Sequence, residues 1–220
     1  MPGLDPATPV HQEASTRDRL IATAIKLFGE RGIEATSMRA LTDGACANIA
    51  SVNYHFRSKE GLLRAVVDHA MRGLNDERHH RLDELEASPE PPSVADIVRA
   101  FVEPGLARST VHGEDGAAIA RFIGRVLSEP NPRTWETVAD QAQAVDARYR
   151  AALSRALPDR DETGIRFAYA SMVALLGVWQ SGALDRLNRG AGHHVTPGTT
   201  SVDAERLIAF ITAGTLAGSR

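Results

Sequence analysis

Residues 36 to 63 constrain the fold more than any other stretch of this chain, because they predict two short helices separated by a tight turn. Their sequence is TSMRALTDGACANIASVNYHFRSKEGLL. The pattern indicates a helix of about residues 38 to 45, a turn, a second helix of about residues 49 to 55, and a longer helix that begins at Lys59. Two short helices across such a turn can place the second one in the major groove of DNA. The stretch therefore predicts a DNA-reading unit.

Polar residues at the predicted helix starts support these boundaries. A Ser, Thr or Asn just before a helix can accept a hydrogen bond from a free backbone N–H in its first turn. Thr36 or Ser37 can cap the first short helix, Asn48 can cap the second, and Ser58 can cap the longer helix that follows. Thr16 can cap a further helix near the N-terminus in the same way.

The rest of the chain predicts more helices and no strand. Sustained alternation is missing, and no Asn-Gly or Asp-Gly turn joins two alternating apolar runs. Helical periodicity, bounded by capping residues, Pro or Gly, covers about residues 17–30, 59–86, 93–108, 117–128, 134–157, 162–188 and 203–216. Together with the two short helices, this predicts an all-α fold of about nine helices.

The domain organisation follows from these elements. We expect a disordered tail over residues 1–14, a helix-turn-helix DNA-binding domain over 15–62, and a helical regulatory and dimerisation domain over 63–220. The tail lacks the basic and apolar regions of a signal peptide, and no apolar run reaches the roughly 18 to 20 residues that a membrane span needs. The single cysteine, Cys46, excludes an internal disulfide. These features predict a cytoplasmic protein with no membrane partner.

The formal net charge of −3 is unevenly distributed along the chain. Residues 15 to 72 contain nine Lys or Arg and six Asp or Glu, whereas residues 73 to 220 contain sixteen and twenty. The basic excess therefore lies with the predicted helix-turn-helix, where phosphates would have to be bound.

The DNA-reading unit resembles the TetR family of bacterial one-component transcriptional regulators over about residues 17 to 66. The matching pieces, in chain order, are Thr36-Ser37, Leu41, Ala45-Cys46-Ala47, Asn48 to Ser51, Val52-Asn53-Tyr54-His55-Phe56 and Ser58-Lys59-Glu60. The resemblance implies an all-helical homodimer that binds double-stranded, palindromic operator DNA, acts as a repressor by default, and releases DNA when a small-molecule inducer binds.

Two positions depart from the family pattern. Cys46 stands where the family usually has Gly, and Asn53 stands where Tyr is more frequent. If the turn requires a positive φ, a Cys there costs on the order of 1 kcal/mol. We expect Cys46 to be a small buried residue, with a redox-sensing thiol as the alternative.

The predicted DNA contacts fall into two groups. Small or hydrogen-bonding residues of the recognition helix should lie near the groove floor and read bases. They are Asn48, Ile49, Ala50 and Ser51. Residues near the ends of the helices should contact phosphates, which positions the protein without reading sequence. They are Thr36, Ser37, Arg39, Asn53, Tyr54, His55 and Lys59. Val52 and Phe56 are expected in the core, and packing is the alternative role of Tyr54.

The C-terminal two-thirds of the chain has no motif that identifies a ligand. The resemblance implies an inducer pocket between helices of residues 93 to 188. We expect large apolar residues to line it, two arginines and Gln141 to orient a polar end of the ligand, and a cavity of about a few hundred Å³. The candidates are Phe101, Arg121, Phe122, Arg125, Val126, Trp135, Met172, Leu175, Leu176 and Trp179. Core packing is the alternative role of each.

The predicted helix over residues 162–188 and the last helix resemble the pair that dimerises in this family. Small residues give the first of them a surface for close approach; they are Ala168, Ala170, Ser171, Ala174, Gly177, Ser181 and Gly182.

Two other classes of protein are alternatives to a DNA-binding regulator: a small helical enzyme and a helical adaptor. An enzyme is disfavoured because no Gly-rich phosphate loop, nucleophile elbow or His-Glu metal motif occurs in the sequence, so no catalytic residue, cofactor or metal ligand is predicted. The pairs His79-His80 and His193-His194 are expected on the solvated surface. The alternative function is a helical adaptor or interaction protein without sequence-specific DNA binding.

Overall fold

The structure is a computed structural model that describes residues 15–111, 113–127, 131–190 and 201–217. The predicted tail lies outside these ranges. Within them the chain forms ten helices and no strand, which confirms the all-α fold. The helices are α1 (Thr16–Arg31), α2 (Met38–Gly44), α3 (Ile49–Phe56), α4 (Lys59–Glu86), α5 (Val94–Val111), α6 (Gly113–Val126), α7 (Pro132–Ala156), α8 (Glu162–Gln180), α9 (Ala183–Gly190) and α10 (Ser201–Ala217).

One predicted helix is divided in the structure. The periodicity indicated a continuous helix over residues 162–188, but α8 ends at Gln180 and α9 begins at Ala183. Gly182 between them has a φ of +69°, a left-handed conformation that ends a helix and suits glycine. The single long helix was therefore wrong, and the division raises the number of helices above the predicted nine.

Helix starts are capped largely as the sequence indicates. The side-chain oxygens of Ser37, Asn48 and Ser58 each accept a hydrogen bond from a backbone N–H three residues later, at 2.8–3.1 Å. Ser15 caps α1 in the same way, so the prediction of Thr16 as the cap was wrong by one residue.

The first core cluster joins the helix-turn-helix to the C-terminal helices. The apolar stripe of α1 that the periodicity predicted is buried, and its Phe28 ring lies 6.3 Å from the ring of Phe122 on α6. A Cβ added to Gly29 would lie 3.1 Å from the backbone nitrogen of Phe122, so the two helices approach closely there. Val126 and Val138 complete the cluster from α6 and α7. This core therefore crosses the predicted domain boundary at residue 62, which stays a prediction.

A second core cluster lies among α5, α7, α8 and α10. Phe101 makes edge contacts with two tyrosines, its ring centroid lying 5.1 Å from that of Tyr149 and 5.5 Å from that of Tyr169. Edge-to-face aromatic pairs of this kind add about 0.5 to 1.5 kcal/mol each beyond simple burial.

Helix α4 runs through both halves of the molecule. It has 28 residues, which at 1.5 Å per residue makes it about 42 Å long. Its first half contributes Leu62, Val66 and neighbouring residues to the first cluster, and Leu82 near its end belongs to the second. Between them its buried face carries two polar residues, Asn75 and Arg78. In the described residues, no helix combines the length and hydropathy needed to cross a membrane.

Candidate nucleic-acid interface

The turn between α2 and α3 is held by backbone hydrogen bonds and by one arginine from α1. The Ala47 N–H donates to the carbonyl oxygen of Thr42 at 2.9 Å, and Arg19 Nε donates to that of Ala45 at 3.2 Å. Cys46 has a φ of +48°, the left-handed conformation whose cost for a non-glycine residue is about 1 kcal/mol. Its side chain is exposed, so the expectation of a buried cysteine was wrong.

Helix α3 buries one face and exposes the other. Val52 and Phe56 are buried, which confirms their predicted place in the core. Ile49 and Tyr54 are 55% and 85% exposed, unusual values for large apolar and aromatic side chains. Tyr54 is therefore not a core residue, although its ring makes an edge contact with the ring of His55 at a centroid distance of 5.0 Å. Ala50, Asn53 and His55 are exposed as well. The predicted contact residues of this helix therefore share an accessible surface.

Asn48 and Ser51 are bonded to each other at the start of α3. The Asn48 Oδ1 accepts from the Ser51 backbone N–H at 2.8 Å and from the Ser51 hydroxyl at 3.0 Å. The Nδ2–H donors of Asn48 take no part in this cap, while the Ser51 oxygen keeps its lone pairs. In this arrangement Asn48 can donate to base acceptors in a groove, and Ser51 can accept from base amino groups.

The residues before α2 differ from one another in accessibility. Thr36 is fully buried and its hydroxyl donates to the Gly32 carbonyl oxygen at 2.7 Å, so its predicted contact with a phosphate was wrong. Ser37 and Arg39 are exposed. Arg39 Nε lies 3.6 Å from an Asp43 carboxylate oxygen, with both side chains open to solvent. Such exposed pairs are worth at most about 1 kcal/mol, so Arg39 is free to exchange this partner for a phosphate.

Sequence reasoning overlooked two arginines at the C-terminal end of α3. Arg57 follows the helix directly, is exposed, and has a φ of +68°. The guanidinium of Arg17 lies 5.6 Å from the centroid of the Phe56 ring. The sequence does contain a signal for Arg57, because Arg57 and Lys59 stand on either side of the helix cap Ser58. The position of Arg17 depends on the packing of α1 against α3.

Lys59 is half-buried at the first position of α4. It lines, with Glu60 and Arg133, a cavity of about 480 Å³ between the starts of α4 and α7. Backbone and Ser58 hydrogen bonds hold the pKa of Glu60 below its ordinary value, and the charges of Lys59 and Arg133 act in the same direction. Lys59 thus lies beside a carboxylate that is ionised at neutral pH, and its contact with a phosphate stays a prediction.

The apolar residues predicted to line an inducer pocket are mostly packed. Phe101, Met172 and Leu176 are buried in the second core cluster, with Leu175 and Trp179 packed against it. Phe122 and Val126 lie in the first cluster instead, facing the helix-turn-helix. The apolar cavity beside these two residues holds only about 30 Å³, so the expected cavity of a few hundred Å³ is not formed there.

The other candidates lie at the surface. Arg121, Arg125 and Trp135 are exposed. A Cβ added to Gly32 would lie 3.2 Å from an Nη of Arg125, which places that guanidinium over the end of α1. These three residues lie outside the second core cluster, and their contact with a ligand stays a prediction. The described residues also contain no group of three or more His, Cys, Asp or Glu that could hold a metal ion.

The arrangement of α1 to α4 defines the class of protein. Two short capped helices meet at a tight turn, the second exposes one face along its length, and exposed cations lie at its C-terminal end. A long helix then connects this unit to a helical domain. This is the architecture of a helix-turn-helix DNA-binding transcriptional regulator.

Comparison with known families identifies the group to which the chain belongs. Residues 20–66 match the family described as bacterial regulatory proteins, tetR family. Residues 99–214, more than half of the chain, match the tetracyclin repressor-like C-terminal domain. The chain belongs to the TetR family. Because members of this family are DNA-binding regulators, the prediction that the chain is not an enzyme is confirmed.

Individual relatives match mainly in the DNA-binding unit. The regulator YttP of Bacillus subtilis is 34% identical over 63 residues, covering 29% of this chain and 30% of YttP. The repressor KstR2 of Mycolicibacterium smegmatis is 40% identical over 62 residues, covering 28% and 30%. The chain is thus aligned to only 30% of the length of these two relatives. The regulator BetI of Burkholderia lata is 25% identical over 169 residues, covering 76% and 82%.

Solved structures share the whole fold at low sequence identity. The fatty acid degradation regulator FadR from Bacillus halodurans superimposes with a TM-score of 0.65 at 12% identity, covering 95% of this chain and 98% of FadR. AibR, in complex with isovaleryl coenzyme A and operator DNA, gives a TM-score of 0.60 at 15% identity, covering 91% and 97%. At these identities the likeness concerns the fold alone.

Proposed function

We propose that this chain is a ligand-responsive repressor whose homodimer binds a palindromic operator and releases it when a small, mainly apolar molecule binds the C-terminal domain. The observation that carries the DNA-binding part is the exposed face of α3. Large side chains such as Ile49 and Tyr54 are left open to solvent there while Val52 and Phe56 anchor the helix from behind. On a recognition helix, such exposed side chains are available to contact the floor and walls of a DNA groove.

The proposed dimer surface lies on α8 and α10. Phe167 and Phe210 are 74% and 67% exposed, and Val178 and Leu216 are exposed on the same two helices. Exposed apolar side chains on neighbouring helices favour an interface, and two such helix pairs from two copies can form a four-helix bundle. A twofold dimer would present its recognition helices about 34 to 36 Å apart, one turn of DNA.

Sedimentation analysis tests the dimer. The unaltered chain should sediment as a dimer at micromolar concentration, and Phe210→Glu should shift it toward the monomer. Ala139→Glu, a change on the exposed face of α7, is the matched control and should leave the dimer intact. A monomeric unaltered chain would reject the assembly.

The proposed ligand response requires a rearranged state of the C-terminal domain. The side chains of the second core cluster are buried against one another, and we infer that a ligand between these helices binds a more open conformation. A ligand that prefers one conformation shifts the population toward it, and this preference is what couples binding to DNA release. Two helices can carry the change: α4 extends from Lys59 into both clusters, and α6 packs on α1 and α8. A Cβ added to Gly124 of α6 would lie 2.5 Å from the Gly177 carbonyl oxygen of α8.

Names of relatives support the same proposal. KstR2 is named a repressor, and AibR has been solved in complex with both an acyl coenzyme A and operator DNA.

In vitro selection from a random duplex library tests the function. The purified chain should enrich a palindrome and bind it far better than scrambled DNA in a gel shift at a fixed, stated salt concentration. Equal affinity for all sequences would favour the adaptor alternative. A reporter gene under the selected operator then tests repression, since activation would contradict that part of the proposal.

A further inference from the structure

Arg78 is a buried cation in the middle of α4. It is only 7% exposed, and it lies between the part of α4 that belongs to the first core cluster and the part that belongs to the second. Its Nε donates to the Phe101 carbonyl oxygen at 3.0 Å, and its guanidinium lies 3.7 Å from the centroid of the Phe101 ring. The Tyr149 hydroxyl donates to the backbone carbonyl of Arg78. The Arg78 side chain thus lies against α5, α7 bonds to its backbone, and Tyr169 of α8 packs edge-on to the same Phe101 ring.

The positive charge of Arg78 has no direct counter-ion among the described residues. No carboxylate oxygen of that part of the chain lies within 4.0 Å of its guanidinium. Asp146 attracts it from a greater distance, but that carboxylate accepts a hydrogen bond from the Tyr169 hydroxyl. Burial raises the pKa of Asp146, while the hydrogen bond from Tyr169 and the charges of Arg150 and Arg78 act in the opposite direction. Burial lowers the pKa of Arg78 to about 10, so the guanidinium is still charged at neutral pH.

Two more groups make this interior receptive to a polar ligand. Arg108 on α5 is half-buried, donates to the Ala70 carbonyl oxygen at 2.8 Å, and adds a second positive charge that repels Arg78. Asn75, one turn before Arg78, donates through Nδ2 to the Gln141 carbonyl oxygen, and its buried Oδ1 accepts no hydrogen bond. Buried polar atoms are nearly always bonded in native structures.

Burying a charge is costly unless an opposite charge and hydrogen bonds compensate for it. The hydrogen bond to the Phe101 carbonyl and the contact with its ring offset part of that cost, but no adjacent carboxylate of the described residues does. Apolar residues of the adjoining cluster include Phe101, Leu153 and Met172. A molecule with an anionic head and an apolar body would meet both requirements, because guanidinium groups bind carboxylate and phosphate oxygens in a two-pronged geometry.

We propose that Arg78 binds the anionic head group, a carboxylate or a phosphate, of an amphipathic ligand whose apolar part enters between α4, α5, α7 and α8. This inference rests on the proposed ligand response and gives that ligand its chemical class. Arg78 belongs to α4, the helix that begins at Lys59 in the DNA-binding unit. An anion bound to Arg78 would therefore change the packing of the helix that connects the two halves of the molecule.

Three probes with equal chains and different head groups test the assignment on the full-length protein: decanoate, decyl phosphate and the neutral decanol, all below micelle-forming concentrations. Calorimetry measures affinity, and a gel shift with the selected operator measures release. At least one anion should bind ten times more tightly than decanol and release the operator, and comparison of the two anions distinguishes carboxylate from phosphate.

Variants of Arg78 locate the site. Arg78→Met should remove the preference for the anion, because methionine keeps an unbranched apolar side chain at this position but carries no charge and no donor. Arg78→Gln provides a polar neutral variant in case the first does not fold, and it should lose the preference as well. Arg72→Met is the matched control, because it removes an exposed arginine of the same helix that is paired with Asp68. This variant should keep the preference for the anion.

Several results would overturn the assignment. Equal affinity for decanol and both anions would reject the anionic head group, yet leave the ligand response standing if the operator is released. An anion preference that persists in the folded Arg78 variants would reject the site. Failure of all three probes to bind would reject the proposal while sequence-specific DNA binding remains intact. Loss of that DNA binding from the unaltered protein would instead contradict the proposed function itself.

Discussion

Replacing Thr36 with Val separates a structural role for this residue from the DNA contact predicted by its sequence. Thr36 is fully buried and its hydroxyl donates to the Gly32 carbonyl oxygen at 2.7 Å. Valine has nearly the same shape but cannot donate, so the carbonyl loses a partner inside the protein. Breaking a buried hydrogen bond in this way costs about 1 to 3 kcal/mol. With about 2 kcal/mol as the central value, the melting temperature of a chain of this size should fall by about 4 to 8 °C.

Thermal and urea unfolding at one fixed protein concentration measure this loss, since a dimer's stability depends on concentration. Thr137→Val is the matched control. The Thr137 hydroxyl donates to the Arg133 carbonyl at 3.2 Å in a bond open to solvent, and its removal should cost no more than about 0.5 kcal/mol. The affinity of folded Thr36→Val for the operator should depend on salt concentration in the same way as that of the unaltered protein. A variant as stable as the unaltered protein, with a lower salt slope, would show that Thr36 contacts a phosphate and would refute the structural argument.

Three further substitutions test the interface and the helix packing. Lys59→Ala should weaken binding to every DNA sequence alike and lower the salt slope by about one unit, and an unchanged slope would reject a phosphate contact. Ser51→Ala should change the preference among operator variants by roughly 1 to 3 kcal/mol, whereas equal weakening on all sequences would argue against a base contact. Gly124→Ala should lower the free energy of unfolding by roughly 1 to 3 kcal/mol, because its Cβ would meet the Gly177 carbonyl. The control Gly73→Ala, whose Cβ meets only the end of a flexible arginine, should be neutral or stabilising by up to about 1 kcal/mol. Equal stability of both glycine variants would contradict the close approach of α6 and α8.

Local chemistry made the helix-turn-helix predictable. Ser37, Asn48 and Ser58 cap their helices through hydrogen bonds to backbone groups three residues later. Such bonds depend only on neighbours in the chain, so the start of each helix follows from the sequence. The burial of Val52 and Phe56 follows from their spacing of four residues, which places both on one face of α3.

Periodicity identifies which face of a helix is buried, but it does not identify the partner that buries it. Phe122 and Val126 were expected around an inducer and instead pack against α1, because α6 lies beside the DNA-binding unit. Cys46 and Thr36 show the same limit. Cys46 was expected in the core but is exposed by the geometry of the turn, and Thr36 was expected at a phosphate but is covered by the end of α1.

The sequence by itself determined most of the helices, the caps of α2, α3 and α4, and the face of α3 that is exposed, since these depend on interactions within a few residues. Only the tertiary structure decided the environment of Arg78. An arginine in a long polar helix is expected at the surface, and nothing in its neighbours distinguishes it from Arg72 or Arg81. Its burial arises because α5 and α7 pack against α4 at this turn, and a buried charge, unlike one at the surface, is costly without an opposite charge.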